Sequence, residues 1–282
     1  IVEISETDNA LFNAVTSTTL SENEVNTIEN PETIAYNQED ILALHWHPEY
    51  IPFSFIEKRI SNIFPNKKKE LIIPTQHNEL LTYNNYSGVE IDCYSREFRR
   101  KVQLLAHFKK ENIREASKFK AMLQHTFKYR SSQLFEFLDT LTDPKFKSRL
   151  YEASRETSVN EDLIFFIQVY TQKIKQLIME NELNIPTLML KNKLLRNFFD
   201  SLCDMYDPRL IDVVQVFLNA VKKVVKSYFN YEYFYLTQEI IEEIRGLGGS
   251  IIVPHPEQFW PILLADYDVD GYEVWNPQSQ DY

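Results

Sequence analysis

The chain has 282 residues, 44% of them hydrophobic and 13% aromatic, which is too apolar for a disordered chain and long enough to bury one α/β barrel core or two smaller ones. Thirty lysines and arginines against 41 aspartates and glutamates leave a formal net charge of −11, which argues against sequence-independent binding of nucleic acid. Five glycines are few, and neither G-x-G-x-x-G nor G-x-x-x-x-G-K-[ST] occurs, which argues against a glycine-rich phosphate loop.

Residues 1–40 are polar and acidic with little periodicity, apart from a short strand piece at 1–4. The apolar run 41–44 predicts a buried strand and ends in His45-Trp46-His47-Pro48-Glu49. Phe55, Ile56, Ile60 and Ile63 hold helical spacing and predict a helix over 53–64, before Pro65 and the lysine-rich turn 67–69. A second buried strand, 71–74, leads into Thr75-Gln76-His77-Asn78, and 88–93 and 102–108 predict a third and a fourth. From about 111 to 246 the pattern is helical, with breaks at Pro144, Pro186 and Pro208; Leu163, Ile167, Tyr170, Ile174 and Leu177 follow the i, i+3/i+4 rule. Asp207 before Pro208 starts a helix expected to bury Leu210, Val213, Val214 and Phe217. Thr237 is the expected N-cap of a helix over 238–245 that Gly246 stops; Gly248-Gly249 then turns into a strand at 251–253, which ends in Pro254-His255-Pro256-Glu257. A last strand is expected at 272–275.

Two cysteines, Cys93 and Cys203, in so long a chain read as reduced thiols of a cytoplasmic protein. No run of about 18 apolar residues suggests a membrane span, and no secretory leader is recognised. The chain opens on Ile1 and stops at Tyr282 inside what reads as a motif, the pattern expected of a piece of a longer product.

The chemistry lies in the histidines. His45, His47, His77 and His255 stand at or just past the C-terminal ends of predicted strands, and His107 within the end of one. In an α/β barrel the loops leaving that edge converge, and neutral imidazole there suits a transition metal. In an extended segment residues i and i+2 face the same way, so His45 and His47 can reach one ion; taken alone, the pair reads more readily as loop decoration beside Trp46. His125 reads as an exposed helix residue. Asp266, Asp268 and Asp270 read as a solvated turn, lacking the glycine and distant glutamate of a calcium loop. Lys118, Lys120, Lys128 and Arg130 read as a solvated helix face, and the aromatic run 228–235 as packing.

Taken in order, these segments resemble the PHP (polymerase and histidinol phosphatase) family. Asp40 to His47 is similar to its first motif, a strand ending in H-x-H; Thr75-Gln76-His77 is similar to Thr-Asp-His, with Gln76 in place of Asp; Gly88-Val89-Glu90 is similar to Gly-hydrophobic-Glu. Segment 237–256 resembles the family's helix, Gly-Gly turn, apolar strand and His-Pro, and Gly271-Tyr272-Glu273-Val274 continues as the family does. The resemblance covers about 40–108 and 237–276. It implies a distorted (β/α)7 TIM-like barrel with a large all-helical insertion: 1–110 and 237–282 as the two parts of the barrel, 111–236 as an insertion that caps its mouth. It implies His45, His47, His77, Glu90 and His255 as metal ligands, with Glu90 and His255 also serving catalysis. His107 is a further candidate ligand, because Gln103 stands where many members have histidine. Glu49 and Asn276 are candidates for substrate binding, and Glu49 also for orienting a metal-bound histidine. The final Asp-x-His motif is expected after Asn276 and is not seen. The activity implied is hydrolysis of a small phosphorylated substrate by metal-activated water, with two or three divalent ions of zinc, manganese or iron; the alternative is a catalytically inactive PHP-like scaffold whose helical part is a binding module.

Overall fold

A computed structural model describes residues 2–274. The chain divides into two compact units, Ile1–Thr19 with Arg130–Asn230, and Leu20–Tyr129 with the chain from Tyr231 onward.

The polar segment before residue 40 contains two helices, α1 (Glu6–Thr16) and α2 (Glu22–Glu29), and residues 2–4 form no strand. Each helix begins with a reciprocal cap. Ser5 Oγ accepts from Asp8 N at 3.1 Å while the Asp8 carboxylate accepts from Ser5 N at 2.8 Å; Ser21 and Glu24 repeat the arrangement at 3.3 and 2.8 Å. The signal present in the sequence was this Ser-x-x-acid spacing, not periodicity. Further along lie β1 (Asp40–Ala43), α3 (Phe53–Ile63), β2 (Lys69–Ile72), β3 (Gln76–His77), β4 (Leu81–Tyr83), β5 (Tyr86–Ser95) and β6 (Arg100–Lys109). A helical stretch follows: α4 (Ser117–Thr142), α5 (Lys147–Thr157), α6 (Glu161–Glu180), α7 (Asn192–Asp200) and α8 (Pro208–Tyr228). The chain returns through α9 (Thr237–Gly246), β7 (Ser250–Val253) and β8 (Gly271–Tyr272). Among the described residues no helix is long and apolar enough to cross a membrane, and neither Cys93 nor Cys203 is in a disulfide.

The expected TIM-like barrel is corrected to a mixed α/β unit with open sheets. β1 and β2 form a parallel pair, and the second sheet runs β3-β5-β6-β7-β8 with β4 on β5. β3–β5 and β7–β8 are parallel, but β5–β6 and β6–β7 are antiparallel. For β5 and β6 the reason is loop length. Four residues separate β5 from β6, enough for a hairpin, whereas a parallel connection needs about a dozen or more. β1 is also not the buried strand expected: among the described residues it pairs with β2 alone, and Leu42 is 67% exposed.

Strand periodicity sorts the second sheet into two chemically different faces. Val89, Ile91 and Cys93 of β5, Val102, Leu104, Ala106 and Phe108 of β6, and Ile251 and Val253 of β7 enter one core with Ile240, Ile241 and Ile244 of α9 and Phe119, Met122 and Leu123 of α4. The alternate residues, Glu90 and Asp92 of β5 and Gln103 and His107 of β6, take the opposite face. There Glu90, Asp92 and His107 are buried. Gly88, also on that face, has no substitute: a Cβ would run into the Pro74 carbonyl oxygen and stand 2.7 Å from Ile73 Cγ2. Gly248 takes φ +66°, the left-handed turn expected between α9 and β7.

The helical unit is organised around a separate core, with Phe12 of α1, Phe137 of α4, Ile167 and Ile174 of α6, Phe198 and Phe199 of α7, and Phe217 of α8 all buried. On α8 the buried stripe is Ile211, Val214, Phe217, Leu218, Val221 and Val225. It misses Val213, expected inside but 46% exposed, because the i, i+3, i+4 row passes through Val214. Within this unit Asp8, 2% exposed, also takes Lys173 Nζ at 2.7 Å. Burial would raise the Asp8 carboxyl, but Lys173 and Ser5 override it and hold its pKa below the ordinary value. A depressed carboxyl contributes stability that is complete above its unfolded pKa of about 3.9 and lost as pH falls through the lower folded value. Asp8→Asn is therefore expected to cost about 3 kcal/mol near neutral pH and to flatten the acid limb of stability against pH, read by urea melts from pH 7 to pH 2.

Candidate metal centre

Glu90 is the hub. Its register partner across the parallel β3–β5 pair is His77, so the two side chains share a face one strand apart. β3 ends immediately: Asn78 turns into the left-handed region at φ 55°, donates its backbone N–H to the Glu90 carbonyl at 2.7 Å, and exchanges two side-chain bonds of 2.8 Å with Asp92. Lys101 pairs with Asp92 in turn. These bonds bracket Glu90 on its own strand and on the neighbour.

The His45/His47 segment runs beside 73–75, held by Ile73 N–H to the Ala43 carbonyl at 2.9 Å and Thr75 N–H to the Trp46 carbonyl at 2.8 Å. Trp46 turns its ring to Phe53 and Tyr83, at 5.8 and 6.3 Å between centroids. The residues on either side of it, His45 and His47, approach Glu90. His255 arrives from the end of β7 in a left-handed backbone at φ 33°. Glu49, Asn78 and His255 are thus three non-glycine left-handed residues at or within two positions of site histidines, where strain of this kind concentrates in functional loops.

Four imidazoles surround one carboxylate. Glu90 Oε2 stands 2.7 Å from His77 Nδ1, 3.0 Å from His47 Nε2 and 3.8 Å from His45 Nε2, and Oε1 stands 3.5 Å from His255 Nε2. Glu90 is 1% exposed. Burial would raise its pKa, yet the histidines override that and hold the carboxyl far below the usual carboxylate range. Burial likewise disfavours charge on His45, but Glu273 and Glu90 outweigh it and its pKa rises to about 9.

The donor set fits a divalent cation. Both Glu90 oxygens are buried without a hydrogen-bond partner despite the nearby nitrogens, and His47 Nδ1 is buried in the same condition. His45 Nε2 and His47 Nε2 approach to 2.9 Å. Around Glu90, short approach without alignment is what ligands produce when they converge on a common point rather than on one another. The ligand atoms of His45, His47 and Glu90 all lie within 4.8 Å of one another, close enough to hold one metal ion, and mixed imidazole and carboxylate donors suit zinc, manganese or iron.

No protein-family model matches the chain, and no curated protein does. Among solved structures, one from Bifidobacterium adolescentis, provisionally named a metal-dependent phosphoesterase, is similar at a TM-score of 0.42 and 15% sequence identity, over 87% of this chain and 82% of that one. A likeness at that level assigns this chain neither fold nor activity.

The structure does not bring every candidate to Glu90. His107 lies on the correct sheet face, but its Nε2 faces the Leu44 carbonyl at 2.8 Å. A carbonyl only accepts, so Nε2 carries the proton and is turned away from ligation. Burial, together with the charge on His45 and against the Leu44 bond, lowers its pKa to about 4, so the ring is neutral. Gln103 Nε2 stands 3.5 Å from His77 Nδ1. Glu49 has an exposed side chain, and its backbone N–H reaches Gln76 Oε1 at 3.3 Å. Asn276 lies outside the described residues. His125 bonds the Tyr233 carbonyl at 3.0 Å, and the loop aspartates Asp268 and Asp270 clamp Arg245 at 2.8 and 2.7 Å. One residue of the site was missed. Glu273, absent from the candidates read from the sequence, contacts His45 Nδ1 at 3.0 Å. The sequence put it inside a strand expected at 272–275; in the structure β8 ends at Tyr272 and Glu273 stands just past it, like the histidines at other strand ends.

Proposed function

We propose that the chain is a metal-dependent hydrolase of phosphate esters, built on a scaffold like that of the PHP family. The observation that carries the reading is the convergence of His45, His47, His77 and His255 on the buried Glu90 carboxylate without hydrogen-bond alignment. His45, His47 and His77 would hold a divalent cation with Glu90 Oε2, and His255 would hold a second with Oε1. When bound, such ions acidify water and neutralise phosphate oxygens. The chain's own residues supply the rest. Glu90 contributes fixed negative charge in a poorly solvated position, where it attracts cations strongly. The strand-end turns at Asn78 and His255 hold the donors in place before a substrate arrives, which removes the cost of organising them during the reaction. The net charge of −11 favours a small phosphorylated substrate over a polyanion.

A second reading, a metal-binding scaffold without turnover, is favoured by the glutamines at positions where PHP members carry Asp or His: Gln76, buried with its amide nitrogen unpartnered, and Gln103. One experiment separates the two. The purified protein is analysed for bound metal, stripped with chelator, and assayed on an aryl phosphate with and without Mn²⁺ or Zn²⁺. Turnover that appears only with added ion is expected. Bound metal with no turnover on any phosphoester would select the scaffold, and a chain that takes up no divalent ion would remove both readings.

A further inference from the structure

We propose that Glu273 is the positioning residue of the centre, fixing His45 with one carboxylate oxygen and the His255 turn with the other; this rests on the reading of the cluster as a cation site. His45 turns Nε2 inward, toward His47 and Glu90, and Nδ1 outward to Glu273 Oε1 at 3.0 Å. An ionised carboxylate only accepts, so Nδ1 carries a proton, and the lone pair left for a bound cation is that of Nε2, which faces the interior. Glu273 Oε2 accepts the His255 backbone N–H at 2.6 Å. His255 sits at φ 33°, a conformation a residue bearing a Cβ holds only when it is fastened. Glu273 is itself anchored: its N–H donates to the Val253 carbonyl at 2.9 Å, carrying the β7–β8 pairing one step past Tyr272, and its side chain is 10% exposed. One carboxylate thereby ties the loop after β1 to the loop after β7, two ligand segments with no backbone pairing between their strands.

Glutamine in its place cannot serve both donors, because its amide offers one oxygen and turns an NH₂ toward the other. Full-length wild type, Glu273→Gln and Glu273→Asp are stripped with chelator and titrated with Zn²⁺ by calorimetry, with circular dichroism to verify folding. The glutamine variant is expected to fold and to bind Zn²⁺ about 10–100-fold more weakly, with partial recovery in the aspartate variant. Long-range ¹H–¹⁵N spectra of the Zn²⁺-loaded wild type are expected to show the His45 proton on Nδ1, a readout that a purely structural role does not dictate. Wild-type affinity in Glu273→Gln, or a His45 proton on Nε2, overturns the inference and leaves the cation site standing. A wild type that takes up no Zn²⁺ sinks the cation site and this inference together. If the variants do not fold, the wild-type spectrum decides alone.

Discussion

Glu90→Gln is expected to abolish metal retention. The substitution preserves shape and removes the one charge at the centre of four imidazoles, each within 3.8 Å of a carboxylate oxygen. An outer partner of a metal ligand typically costs 10–100-fold in affinity when lost, so loss of this central donor should cost about 100-fold or more. The effect is also visible in stability. A ligand present at about 100 times its Kd adds roughly 2.7 kcal/mol to the folded state. Wild type should therefore melt at a higher temperature with Zn²⁺ or Mn²⁺ than after chelation, and the variant should melt alike in both. Elemental analysis and paired thermal melts measure this. A variant that keeps its metal and its ion-dependent melting shift would show that Glu90 is a bystander.

The second large effect lies in the helical unit. Phe217 on α8 is fully buried among the side chains of its core. Truncation to alanine removes its burial energy and leaves a cavity that close-packed helices collapse around only partly, at a cost of about 3–5 kcal/mol. For a unit of this size the melting temperature should fall by roughly 10 °C or more. Val216, its neighbour on the same helix, is 59% exposed, and Val216→Ala is expected to stay within about 0.5 kcal/mol of wild type. Chemical denaturation of the pair checks the contrast. Equal losses would mean that the buried stripe runs through the wrong row of α8.

How much of this was legible depended on the range of the signal. α3, α6 and α8 were readable because apolar spacing and caps are local: Asp207 before Pro208 starts α8 as expected, its carboxylate accepting from Arg209 N at 2.9 Å. α9 begins one residue earlier than expected, at Thr237, because Glu239 reaches back to bond Leu236 N at 2.8 Å. α1 and α2 were hidden because short polar helices declare themselves by their caps more than by an apolar face. His107 was placed on the right strand, yet the Leu44 carbonyl, 63 residues away, takes its ring nitrogen.

The sequence by itself determined the elements and the chemistry held at their ends: which segments become strands, which faces of them are apolar, and that histidines stand where strands stop. Tertiary structure alone decided that β6 and β7 pair antiparallel in an open sheet, that four of those histidines meet at Glu90, and that Glu273 meets His45 across 228 positions. The physical reason is that propensity, capping and periodicity act over a few residues, whereas pairing direction and register are chosen by what the whole unit can bury. A one-residue slip of β3 against β5 would turn His77 to the opposite face, and no local feature of the sequence forbids it.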